Sequence, residues 1–254
     1  RPRPAPIRRP LVVQPVFNCH VYERKPATSW RVTGAIQDEA EIRDEEQHIR
    51  RDLEQLGAAA DFPLQVLPLA TVRTVEEAAA MAKRPYDVLL IYAARRNVPV
   101  LEALASPDRW NLMFVRHRSG PLYYMYIGAH AHFLRKGRDP ISQTRMGVHD
   151  VVVDDHAEVL WRLRALAGLK NTLGKRVVAV GGAAGWGADG RMAPDQAREL
   201  WKFDYHSVPY PELGERIQRA KQDETLVKRC RADAQAYLQQ PQVTLETTRE
   251  FVEK

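Results

Sequence analysis

Cysteine is scarce in this chain. Cys19 and Cys230 are the only two in 254 residues, and no C-x-x-C occurs. Two thiols cannot staple a chain of this length, so no disulfide framework organises it, and a reducing, cytoplasmic setting is the expectation. Long apolar runs are missing too. None nears the ~20 residues that a bilayer-spanning helix needs, which excludes a helical membrane protein. Several catalytic signatures are equally absent: there is no G-x-S-x-G, no phosphate-binding P-loop and no H-E-x-x-H. Hydrolase and kinase readings therefore have no motif behind them. The chain starts at Arg1 and ends within a helical pattern at residues 247–254, so both ends read as cut, which is compatible with a removed leader.

A basic folded surface is a further absence. The net charge is +6, but Arg1, Arg3, Arg8 and Arg9 lie in the first ten residues, and without those four the balance falls to +2. The excess belongs to the Pro/Arg stretch RPRPAPIRRP, which reads as an extended, disordered tail. Nucleic-acid binding needs its charge on a face of the fold, so no nucleic-acid partner is expected.

What is present is a hydrophobic fraction of 44%, enough for a full core without staples. Apolar strands alternate with helical patterns. Residues 11–16, 64–67, 87–92 and 112–115 read as strands. Asp38 with Glu41, and Thr74 with Glu77, carry the spacing in which a side-chain oxygen caps a first-turn N–H and a carboxylate reaches back. Behind Asp38, Ile42, Ile49, Leu53 and Leu56 fall on one helical face. The second half repeats this grammar. A strand at 151–153 leads through Asp155 and Glu158 into a helix striped by Val159, Leu160, Leu163, Leu166 and Leu169. A strand at 176–180 then runs into GGAAGWG, a helix at 193–201 takes Pro194 in its first turn, and a strand at 205–208 precedes helices at 211–221 and 224–238. Strands separated by helices define an α/β fold with parallel sheets. The expected organisation is a tail over 1–10 and two doubly wound, mainly parallel, Rossmann-like domains over 11–150 and 151–254.

Four features could carry chemistry. Residues 17–37 form a long connection after the first strand, with Asn18, Cys19, His20, Tyr22, Arg24, Trp30 and Arg31. Ligands of open parallel sheets bind beyond strand carboxyl ends, where this connection starts, although an irregular surface loop is an equal reading. The turn Gly181–Gly187 exposes backbone N–H groups, and its Trp186 is suited either to stacking on a sugar or to capping the sheet. Asp154, Asp155 and His156 could suggest a metal, but Asp155 is better explained as a helix cap. His130 and His132, with His117 and His149 nearby, lack a third ligand, so a satisfied or exposed pair is the expectation.

Residues 158–238, from EVLWRLRALAGLKNTLGKRVVAVGGAAGWG to RELWKFDYHSVPYPELGERIQRAKQDETLVKRCRADAQAYL, resemble the L-fucose isomerase-like sugar isomerases in the order and spacing of helix, glycine turn and later helices. LVVQPVFNCHVY, with Pro15, is similar to that family's opening strand, and residues 87–97 to its third. The resemblance implies an aldose–ketose isomerase of carbohydrate metabolism that moves a proton through an enediol at Mn2+. It implies that the metal ligands lie in a third, C-terminal domain outside this chain, so no catalytic or metal residue is assigned here. What it assigns to these residues is scaffold, homo-oligomer contacts and sugar contacts at His20, Tyr92 and Trp186. The family has an Arg near His20 and a Trp at the place of Tyr92, and those departures bear on the substrate. The alternative is a carbohydrate-binding or oligomerisation module without catalysis.

Overall fold

The structure is a computed structural model. It describes residues 8–21, 26–27, 36–95, 97–105, 108–120, 122, 124, 146–185 and 187–240. Trp186, the His130/His132 pair and the helical pattern at 247–254 lie outside the described residues. Two compact units divide the chain, residues 1–171 and 172–254.

The first unit is built on a six-stranded, wholly parallel sheet. In chain order its elements are β1 (Leu11–Asn18), α1 (Glu39–Ala58), β2 (Leu64–Val66), β3 (Ala70–Val72), α2 (Val75–Ala82), β4 (Val88–Ala93), α3 (Val98–Leu104), β5 (Trp110–Val115), a 3-10 turn at Val148–Asp150, β6 (Val151–Val153) and α4 (His156–Thr172). The strands lie in the order β2-β1-β4-β5-β6, with β3 also against β1. Every residue of β4 is buried, as a strand covered on both faces requires.

Pro15 sits inside the central strand β1, where a missing N–H would normally break the ladder. The ladder shows why it is tolerated. Leu11 and Val13 bond toward β2, through Leu11 N to Pro63 O and Leu67 N to Val13 O, while Val12 and Asn18 bond toward β4. Odd-numbered residues thus face the β2/β3 side, and Pro15 is one of them. On that side the edge is interrupted between β2 and β3, and the register slips by one residue, from Leu11 opposite Leu64 to Val16 opposite Ala70. The Gln14 amide fills the gap, donating to Pro15 O at 2.9 Å and Pro68 O at 3.0 Å.

The helix starts follow their caps. Asp38 accepts from Ala40 N and Glu41 N, and Thr74 closes a full capping box with Glu77. Asp155 accepts from Glu158 N at 3.0 Å. The strand at 151–153 belongs to the first sheet, because Met113–Val115 pair with Val151–Val153. The compact units accordingly part after Asn171, one helix later than the expected break at 150/151.

Part of the expected tail docks. Asn171 accepts from Arg9 N at 2.8 Å and donates to Arg9 O at 3.0 Å, while Lys170 Nζ donates to Pro10 O at 2.9 Å. The expectation of a free tail over 1–10 is corrected at these two residues: β1 begins immediately after them and α4 lies alongside. Deleting residues 1–7 should leave the melting temperature unchanged. Extending the deletion through Pro10 should lower it, since three hydrogen bonds of about 1 kcal/mol each are lost. Thermal unfolding of the two truncations checks this, and equal midpoints would show that the contacts contribute nothing.

In the second unit, β7 (Arg176–Val180) and β8 (Asp204–Val208) form a two-stranded parallel sheet. Around it lie α5 (Gly187–Trp201), α6 (Tyr210–Lys221) and α7 (Glu224–Leu238). The helix expected at 193–201 starts six residues earlier, so Pro194 lies in its interior and not in its first turn. An interior proline cannot bond the carbonyl four residues back. Here that carbonyl, Gly190 O, accepts instead from Gly185 N at 2.9 Å. The same approach accounts for glycines in the turn: a Cβ on Gly190 would lie 2.8 Å from the Gly185 carbonyl carbon. Gly181, at φ 81°, packs beneath Tyr210, where a Cβ would meet the ring at 2.6 Å.

Candidate functional site

Just beyond the carboxyl end of β5, Arg116 is almost fully buried, with 1% of its surface exposed. Burying a guanidinium requires partners, and α1 supplies them. Glu45, His48 and Asp52 stand on α1 at i, i+3 and i+7, one face of the helix. Arg116 Nε donates to Glu45 Oε1 at 2.7 Å and Nη2 to Asp52 Oδ2 at 2.5 Å. Tyr124 Oη donates to the same Glu45 oxygen. His48 bridges the two carboxylates at 3.5 and 3.7 Å, and His156, the first residue of α4, comes within 3.6 Å of Asp52. Gly120 closes over the cluster, its Cβ position 2.8 Å from Arg116 Cδ.

Asp154 holds the loop that follows Arg116. It stands at φ 56° at the end of β6 and accepts from His117 N, Arg118 N and Ser119 N at 2.8, 2.7 and 3.0 Å. Burial raises its pKa, but the hydrogen bonds from Ser119, His117 and Arg118 outweigh this and bring it down to about 2. The Asp154-Asp155-His156 run is thus divided among a loop clamp, a helix cap and the Arg116 cluster.

Three polar atoms in or beside this cluster have no hydrogen-bond partner: Glu45 Oε2, Tyr92 Oη and His156 Nε2. Burial pushes the Tyr92 phenol well up, and the Asp52 carboxylate adds to the shift. Burial also lowers the His156 pKa, so its imidazole is neutral near pH 7. Among the described residues no group of three His, Cys, Asp or Glu side chains is placed to hold a metal ion. The two carboxylates nearest a histidine do not fit Mn2+, because the Arg116 guanidinium stands between them.

A second group lies at the carboxyl ends of β1 and β3. Arg73, just past β3, pairs bidentately with Glu39 at the start of α1, at 2.7 and 2.9 Å. Cys19 is fully buried beside it, and burial pushes its thiol up to about 12 in spite of the Arg73 charge. A thiol held neutral in this way is a packing group and not a nucleophile. His20 follows at the half-buried margin, at the mouth of the long connection.

The structure places Tyr92 inside β4 with no exposed surface, opposite Phe17 and Phe114. It borders the Arg116 cluster from below, whereas His20 lies two residues beyond the last paired residue of β1. Sequence reasoning passed over Arg116, Asp52 and Tyr124, which belong to no motif. One signal was available for their partner: Glu45 interrupts the apolar stripe of Ile42, Ile49, Leu53 and Leu56 and is itself 1% exposed. No known protein-family model matches the chain, and no curated protein matches it.

Proposed function

We propose that this chain is the scaffold and recognition part of a sugar isomerase-like protein: two Rossmann-like domains that supply homo-oligomer contacts and part of an aldose-binding surface. In this reading Mn2+ and its ligands belong to a further domain, and no chemical step is assigned to the residues described. The supporting observation is the carboxyl edge of the first sheet. Its central strand delivers Cys19 and His20 into the long connection at the position where open parallel sheets take ligands. Tyr92 has no exposed surface, so in this reading it supports the edge from within the core and does not itself touch the sugar.

Calorimetric titration of L-fucose and L-arabinose into the wild type and His20→Ala tests it. The substitution should weaken binding about tenfold, near 1.4 kcal/mol, with an unchanged melting temperature. Equal affinities for the two proteins would remove His20 from the sugar surface. The second reading, an oligomerisation module, draws on the second unit. Its Val178, Val180, Met192, Leu200 and Trp201 are all exposed, and Val208 is among the few of its described residues that are buried. Self-association without any aldose binding would put that reading first.

A further inference from the structure

We infer that the first unit carries a separate saccharide site, in a groove between the start of β5 and one face of α4. The groove exists because β6 is short. It pairs only with Met113–Val115, so the first three residues of β5, Trp110–Leu112, extend past it. Beside that stretch runs the α4 stripe Glu158, Trp161, Arg162, Ala165 and Leu166, and His149 and Asp150 line it from the 3-10 turn. The groove is open to solvent and has a volume of about 370 Å³, within the range of small-ligand pockets and large enough for one or two sugar rings.

The lining has the chemistry that a sugar ring calls for. Trp161 is 59% exposed, the largest side chain among the exposed apolar residues described in this unit, and Trp110 is half-buried in the same groove. An exposed indole offers a flat apolar face to the C–H face of a pyranose, and nearby polar groups read the hydroxyls. Those polar groups are already oriented. Arg162 Nε donates to Glu158 Oε1 at 2.8 Å, and its Nη1 donates to the His149 and Val151 carbonyls. Asp150 accepts from Gly147 N at 2.6 Å. A rim fixed before binding loses little freedom when a ligand arrives. The lining carries two carboxylates, Asp150 and Glu158, to one guanidinium, Arg162, so the groove selects neutral sugars and disfavours sialylated or sulfated ones.

This groove rests on residues distinct from the carboxyl edge, and it stands or falls independently of His20. The test is a printed array of neutral and anionic oligosaccharides, followed by tryptophan-fluorescence titration of the best-retained free glycan. Wild type should be retained on neutral glycans. Trp161→Ala should weaken binding at least tenfold with an unchanged melting temperature, Trp161→Phe should fall between, and His20→Ala should have no effect. Retention of no glycan, a preference for anionic ones, or equal binding by Trp161→Ala would overturn the inference. So would a Trp161→Ala variant that only converts a dimer to a monomer in light scattering, which would make the face an assembly contact.

Discussion

Replacing Arg116 with Leu should cost about 3–5 kcal/mol of folding stability, the range for breaking a buried ion pair from one side. The size comes from what is left behind and not from what is lost. Glu45 is 1% exposed and would be left with only the Tyr124 hydroxyl and His48 beside it. Asp52 would lose its closest cation while remaining mostly covered. The loop from His117 to Ser119 would lose its Arg116–Ser119 bond and keep those to Asp154. Chemical denaturation of wild type and Arg116→Leu measures the difference, and a loss under 1 kcal/mol would show that the cluster is solvated. The double variant Arg116→Leu/Glu45→Leu should recover part of the loss, because the uncompensated charge leaves with its partner. Failure to recover would place the cost in the contacts of the Arg116 guanidinium over the Phe114 and Tyr124 rings instead.

How much of this architecture was legible in the sequence depends on how local its cause was. The caps at Asp38, Thr74 and Asp155 are read within four residues, and each side-chain oxygen accepts from a first-turn N–H as expected, although the carboxylate three residues on reaches back to its cap only at Thr74. The strand that becomes β4 declares itself by an unbroken apolar run. β3 was missed because three residues, Ala70–Val72, carry no pattern, and their role comes from β1 across a one-residue slip. The helix at 98–104 was missed as well, since Asn97 makes no side-chain cap bond and a proline follows it closely. The domain break was displaced for a long-range reason: nothing in VVV says that it pairs with Met113–Val115. The start of α5 depended on Gly190 giving its carbonyl to Gly185, a contact that no periodicity encodes. The candidate site follows the same rule. His20 could be found from its place after a strand, but Arg116 has partners 71 and 64 residues away and no motif.

Leu163→Ala should cost about 2–5 kcal/mol, the range for emptying a buried leucine site. Leu163 has no exposed surface and lies between Val159 and Ala167, which are buried at i−4 and i+4 on the same face of α4. That face belongs to the core that also holds Leu112, Met113 and Val152 from β5 and β6. The helix is long and well capped, so it cannot rotate to fill the space without moving Trp161 and Arg162 out of their groove. A cavity therefore persists, and interiors packed as densely as organic crystals do not close one cheaply. For a domain of this size each kcal/mol lowers the melting temperature by roughly 2–4 °C, so the shift should be plain in thermal unfolding. Leu160→Ala on the same helix supplies the comparison: it is only partly buried against the core and should lose clearly less. Equal losses at the two positions, or a loss under 1 kcal/mol at Leu163, would mean that a different face of α4 meets the sheet. The groove beside β5 would then have to be redrawn with it.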